Sequence, residues 1–201
     1  MNAAPTAILR DEVIASLDQR VQIRASYRDY LAMDRARGDR PSPKLTYLSG
    51  TLELMTLSQD HEFTKKTLAR LVESCCEELG IPLNGFGSWT LQSEAADRGI
   101  EPDECYVLGE NRHPEKPDLA IEVIWTHGGI DKLEVYRGLG VREVWFWEDG
   151  KITVHELHRG KCAPKSRLLP ALDLQIVGEL AAYPSQSAAV RELRHRLRAS
   201  R

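Results

Sequence analysis

Hydrophobic and polar positions along this chain switch between the helical period and the strand period, and the switches mark out the elements. From residue 11 to 35, Ile14, Leu17, Val21, Tyr27, Tyr30 and Leu31 recur at helical spacing among charged residues. They predict a helix that ends near Gly38 and the Pro41-Ser42-Pro43 breaker. Residues 45–48 and 51–55 flank Ser49-Gly50 and read as a hairpin. Ser58 or Asp60 can cap a helix that runs to Leu79, with Phe63, Leu68, Leu71, Val72 and Cys75 inward and Gly80 as its stop. Strands are predicted at 86–93, 104–108 and 119–124, then a helix at 132–139. Two more strands, 143–147 and 152–157, surround the Asp149-Gly150 turn. Residues 172–177 add a further strand, and from Ser187 the tail reads as a basic, frayed helix.

One strand breaks its own pattern. Leu119, Ala120, Ile121, Val123 and Ile124 make Glu122 the single charge in an apolar run that reads as a buried central strand. A carboxylate there is costly unless a metal, a hydrogen-bond network or a cation pairs it. Asp118 shares the face of Glu122 by the period of two, but four residues of strand set their Cα atoms about 13 Å apart. A carboxylate on a neighbouring strand, roughly 5 Å to the side, is a better partner. Asp103, which opens the 104–108 strand, fits that place. Asp118 then reads first as a strand-entry or turn residue after Pro117 and second as an additional site residue.

Two carboxylates that hold a divalent cation, with an ammonium beside them, are a minimal device for cutting a phosphodiester. The ammonium is out of place here. Two residues beyond Glu122 stands Ile124, and the nearest substitute is Lys132, past Gly128-Gly129 on the first turn of the next helix. Its long stem can swing back over the strand end, although a solvated helix lysine is the competing reading.

These residues carry a family resemblance. Gly50, Leu52 and Met55 match a G-x-L-x-x-M strand, and His61 matches a histidine that opens the following helix. Pro102-Asp103, then Pro117 to Val123, match a Pro-Asp and a P-D-L-x-x-E-V strand. Lys132, Tyr136, Gly140, Val141, Glu143 and Trp145 match K-x-x-x-Y-x-x-x-G-V-x-E-x-W. Over residues 44–180 the chain resembles the restriction-type endonucleases of the PD-(D/E)XK superfamily (the Uma2-like proteins). It departs after Glu122-Val123, where many members continue Leu-Ser-Pro-Ser and this chain reads Ile124-Trp125-Thr126-His127-Gly128-Gly129. The resemblance implies an α/β fold with a restriction-endonuclease-like core, a mixed central sheet flanked by helices. It also implies a lysine displaced onto the helix, the Val123 carbonyl as a further metal ligand beside Asp103 and Glu122, and His61 or Glu62 as additional site residues. An acid in a first helical turn is also favoured by the helix dipole alone.

Composition adds bounds. With 201 residues, 42% of them hydrophobic, one sizeable core is the default: a single domain with residues 1–43 as a helical extension, 44–180 as core and 181–201 as a tail helix. No run approaches the ~20 apolar residues of a membrane helix, and the start lacks the order of a secretory signal. Cys75, Cys76, Cys105 and Cys162 show no metal spacing and read as thiols in a reducing cytoplasm. A net charge of −3 gives no global pull on nucleic acid, so any such partner must meet a local basic surface. Trp145 and Trp147 alternate, a stripe that reads as core or dimer contact before base-stacking platform.

The expectation is therefore a Mg²⁺- or Mn²⁺-dependent endonuclease acting on DNA, with homodimer formation left open. Asp103 and Glu122 would bind the metal and Lys132 would orient the attacking water. Two alternatives remain: a catalytically idle nucleic-acid-binding or dimerisation module with the same fold, and a metal-dependent hydrolase of smaller phosphate esters.

Overall fold

The computed structural model describes residues 17–199. In chain order these form β1 (Gln19–Arg24), α1 (Tyr27–Arg37), β2 (Lys44–Leu48), β3 (Thr51–Thr56), α2 (Gln59–Leu79), β4 (Leu83–Gly85) and β5 (Leu91–Ser93). There follow β6 (Arg98–Ile100), β7 (Glu104–Leu108), β8 (Leu119–Val123), α3 (Lys132–Gly138), β9 (Glu143–Glu148) and β10 (Lys151–Glu156). The last elements are β11 (Lys161–Ala163), α4 (Leu174–Ala181) and α5 (Gln186–Ala199).

The strands sort into two sheets. An antiparallel one runs β1-β3-β2-β6-β5, and a mixed one runs β11-β10-β9-β8-β7-β4. In the mixed sheet β8 and β9 are parallel, because α3 returns the chain between them, and the other pairs are antiparallel. This is the α/β architecture expected, a mixed sheet flanked by helices.

The period of two divides β8 and β9 between two cores. Leu119, Ile121, Val123, Trp145 and Trp147 pack with Leu68, Leu71 and Val72 of α2 and with α4 and α5. Ala120 and Val144 face the other way, onto Val135 and Tyr136 of α3 and Ile100 of β6. A third cluster holds α1 on the small sheet, where Tyr30 stacks on Tyr47 with centroids 5.5 Å apart. Gly99 makes that packing feasible, since a Cβ there would lie 2.4 Å from the Tyr30 ring.

Several elements differ from the sequence reading, each for a local reason. Residues 19–24 form a strand, not the middle of a helix, paired with β3 from Gln19↔Thr56 to Arg24↔Thr51. The helix begins only at Tyr27, where Ser26 and Asp29 make a reciprocal capping box. The part of that predicted helix before residue 17 lies outside the described residues. Of the predicted 86–93 strand only Leu91–Ser93 is in a strand, β5 of the small sheet, while β4 of the mixed sheet ends before it at Gly85. Residues 174–181 are helical rather than extended, because the Asp173 carboxylate caps the Gln175 and Ile176 N–H groups. The basic tail is not frayed: Ala189, Val190 and Leu193 of α5 are buried in the main core. Phe63, expected inward, is 38% exposed.

Candidate active site

The β7–β8 ladder ends at Glu104↔Ile121, so one step further Asp103 and Glu122 stand opposite each other at the strand ends. Asp103 reaches across, and its Oδ2 accepts the Val123 N–H at 2.9 Å. A side chain thus takes the place of the missing backbone partner. Both acids are buried, Glu122 at 0% and Asp103 at 1% exposed, so each must be satisfied by protein groups.

Two further elements, β2 and α2, satisfy Asp103. Lys44 of β2 gives its ammonium to Oδ1 at 2.7 Å and to the Pro102 carbonyl at 2.8 Å. His61, in the first turn of α2, places Nε2 3.0 Å from Oδ2 and Nδ1 2.8 Å from the Asp18 carboxylate. Asp18 in turn accepts the Ser58 N–H at 2.8 Å, just where Ser58 caps α2. Burial would raise Asp103, but Lys44 and then His61 hold it well below the usual carboxylate range. Burial opposes a charged His61 as well, yet Asp103 and Asp18 on its two nitrogens push it up to about 9.

One short helix satisfies Glu122. Lys132 gives its ammonium to Oε2 at 2.6 Å, and the Tyr136 hydroxyl donates to Oε1. Positions i and i+4 of α3 share a face, so both groups reach one carboxylate. Burial raises Glu122 above its ordinary value, Lys132 opposes that rise, and the negative charge of Asp103 adds to it. Burial would lower Lys132, but Glu122 and Asp103 raise it.

Glu122, Val123, Ile124 and Lys132 line a cavity of about 390 Å³. Across it stand Glu53 of β3 and Arg20 of β1. Glu53 Oε2 accepts from Gln22 Nε2 at 2.9 Å and from the Ile130 N–H at 3.2 Å, with Arg20 Nε at 3.4 Å. Arg20 also donates to the His127 carbonyl at 3.1 Å and to the Gly128 carbonyl. The loop from Glu122 to Lys132 is therefore gripped by the small sheet. Gly129 allows that grip: its φ is +105°, and a Cβ at this position would lie only 2.6 Å from Glu53 Oε2.

The structure brings together Asp103, Glu122, Lys132, Val123 and His61. It keeps Asp118 and Glu62 apart from them. Asp118 pairs with Arg142 at 2.9 Å and accepts the Leu108 N–H. Glu62 is half-exposed and pairs with Lys65 at 2.8 Å.

Sequence reasoning misses Asp18, Lys44, Glu53 and Arg20, and it gives Tyr136 no role of its own. Two of these carry a signal. Glu53 is a lone charge inside an apolar run, as Glu122 is, and Tyr136 lies at i+4 from Lys132.

The donor set fits a hard divalent cation in kind, since Asp103, Glu122 and the Val123 carbonyl offer oxygen. It is also fully engaged, with every oxygen of the two carboxylates contacted by a protein donor. Among the described residues no group of three or more His, Cys, Asp and Glu side chains is arranged to hold a metal ion. No described helix is long and apolar enough to cross a membrane.

The fold is similar to that of a solved protein, a "putative nuclease belonging to DUF820" from Anabaena variabilis ATCC 29413. The TM-score is 0.53 at 13% identity, covering 84% of this chain and 99% of that one. No curated protein matches the chain. The model of the Uma2 family, described as "putative restriction endonuclease", matches residues 27–183, most of the sequence, and the chain belongs to that family.

Proposed function

We propose that this protein is a Mg²⁺- or Mn²⁺-dependent endonuclease that cleaves DNA at the Glu122 cavity. One observation carries the reading: a fully buried carboxylate, opposite a second one at a strand end, holds a lysine ammonium on the floor of an open cavity. Asp103 and Glu122, with the Val123 carbonyl, would hold the cation, which when bound supplies a water of lowered pKa and polarises the phosphate.

The chain's own groups do the rest. Lys132 moves its ammonium from Glu122 toward the attacked phosphate, where it stabilises the charge that develops and orients the water. Tyr136 stays on Glu122 and keeps its carboxylate aimed at the strand end. Lys44 and His61 fix Asp103, so that its carboxylate need not reorient during the reaction. Arg20 and Glu53 hold the loop that sets where α3 begins, and hence where Lys132 can reach.

The full engagement of both carboxylates favours a second reading, an idle module that kept the fold and binds nucleic acid without cutting it. Cleavage separates the two. Glu122→Gln keeps shape and volume but loses the charge that holds a hard cation. Plasmid nicking in Mg²⁺ and Mn²⁺ binding should both fall below detection while circular dichroism matches the parent. Equal cutting by parent and variant would remove Glu122 from the chemistry. A parent that cuts nothing with either metal would leave the idle module.

A further inference from the structure

Helix α3 is only seven residues long, too short to hold its shape alone in water, so its neighbours decide where it lies. Two i, i+4 pairs of positions divide its sides. Lys132 and Tyr136 form one pair, and both meet Glu122. Glu134 and Gly138 form the other, and both meet Arg98 of β6. Arg98 Nη2 donates to Glu134 Oε1 at 2.6 Å. Gly138 leaves room for the guanidinium, since a Cβ there would overlap it. The two pairs are offset by two positions, about 200° around the helix. Helix α3 therefore stands between Arg98 on one side and Glu122 on the other.

We propose that Arg98 is a positioning residue: by holding the Glu134–Gly138 side of α3, it sets where the Lys132 ammonium and the Tyr136 hydroxyl reach Glu122. The effect on turnover rests on the nuclease reading, whereas the effect on Lys132 does not. Arg98 is suited to be the fixed side of this arrangement. Its backbone lies inside the small sheet, opposite Leu48 of β2 and Ser93 of β5. Its side chain is 19% exposed, against 38% for Glu134. Ile100, two residues along the same face of β6, shares a core cluster with Val135 and Tyr136. Gly99 between them takes the opposite face, against the Tyr30 ring.

Two changes disturb this contact from opposite sides. Arg98→Gln removes the guanidinium. Gly138→Ala leaves every charge in place and pushes the guanidinium aside. Alanine is also the better helix former, so the second change offsets its own harm if the contact serves helix stability alone. A contact that sets position is harmed by both. Once Arg98 is gone, a methyl group at position 138 has nothing to displace, so the two losses coincide and do not multiply. Arg98→Lys keeps the charge without the planar fork and should recover only part of the effect.

The test reads Lys132 directly, on the full chain in EDTA. An ammonium held by a buried carboxylate resists acylation, because the opposite charge favours its protonated form. Labelling by acetic anhydride is followed by mass spectrometry, with Lys161 on the edge strand β11 as internal reference. Labelling of Lys132 should rise on the order of tenfold in Arg98→Gln and in Gly138→Ala. In Mg²⁺, turnover should fall on the order of 10²-fold in each, the cost of a misplacement of about 1 Å, and no further in the double variant. Should Arg98→Gln not fold, Gly138→Ala and Arg98→Lys carry the test. Unchanged labelling in Gly138→Ala, or losses that multiply in the double variant, overturns the proposal. A parent that cuts nothing, with faster labelling in both variants, fails the nuclease reading and keeps the role of Arg98. Glu122-dependent cutting with parent-like labelling and turnover in both variants does the reverse.

Discussion

The two acids at the strand ends stand opposite each other, yet they are built in different ways. Asp103 is closed in by groups from distant parts of the chain, with Lys44 from β2, His61 from α2 and, behind His61, Asp18. Glu122 is served by a single short helix that starts ten residues later, and it opens onto a cavity. Their proton affinities diverge accordingly, Asp103 held low by two cationic neighbours and Glu122 raised by burial. Two acids whose surroundings push them apart suit unequal tasks. In the proposed reaction Asp103 would be the fixed charge, and Glu122 the one whose partner leaves.

The sharpest way to break that comparison is to remove Lys132. Lys132→Ala should lower turnover on the order of 10²- to 10³-fold, the scale seen when a single charge-stabilising donor is lost. Mn²⁺ affinity by calorimetry should stay near that of the parent, because the oxygen donors remain. Lys132→Arg should rescue poorly, since a planar guanidinium does not replace a compact ammonium. If turnover is unchanged in Lys132→Ala, Glu122 has only a structural partner.

The closed half should fail in stability before it fails in chemistry. Lys44→Met removes one side of a buried pair and leaves Asp103 short of a cation, a defect that costs about 3–5 kcal/mol in buried pairs. Urea denaturation reads that loss. A midpoint equal to the parent's would mean that Asp103 does not need Lys44.

His61 supplies a gentler probe of the same half. Its affinity for a proton is raised from 6.5 to about 9 in the fold. The stabilisation from the charged ring is then fully present below pH 6.5 and is lost as pH rises toward 9. In EDTA, the stability advantage of the parent over His61→Gln should shrink across that window. A pH-independent difference would mean that the ring acts by packing alone.

The same contrast explains how much of the site is legible in the sequence. The Glu122 half is local: a lone acid in an apolar strand, a Gly-Gly break, then Lys132 and Tyr136 one turn apart on a helix. Period and spacing are enough to single out Glu122, the family resemblance adds Lys132, and Tyr136 becomes a partner only once the helix is in place. The Asp103 half depends on which strands and helices meet in space. Lys44 is an ordinary strand lysine until the small sheet carries it over Asp103, and Asp18 belongs to a stretch whose apolar spacing looks helical. The main misreadings of the fold have the same origin. Val21 and Ile23 of β1 are 59% and 40% exposed, so that strand exists because β3 pairs with it and not because it buries a face. At Asp173 the reverse holds, since one cap residue outweighs a short apolar run with the look of a strand.

The smallest effect should come from Glu62, and it tests where the site stops. His61 and Glu62 are adjacent on α2, and successive helical positions point about 100° apart, so a helix that buries His61 against Asp103 turns Glu62 away. The structure agrees, with Glu62 half-exposed and paired with Lys65 within its own helix. Exposed pairs of this kind contribute roughly 0–1 kcal/mol. Glu62→Gln should therefore leave the urea midpoint and the cleavage rate close to those of the parent. A variant that kept its stability and lost turnover would place Glu62 at the cation after all, and the boundary drawn between His61 and Glu62 would be wrong.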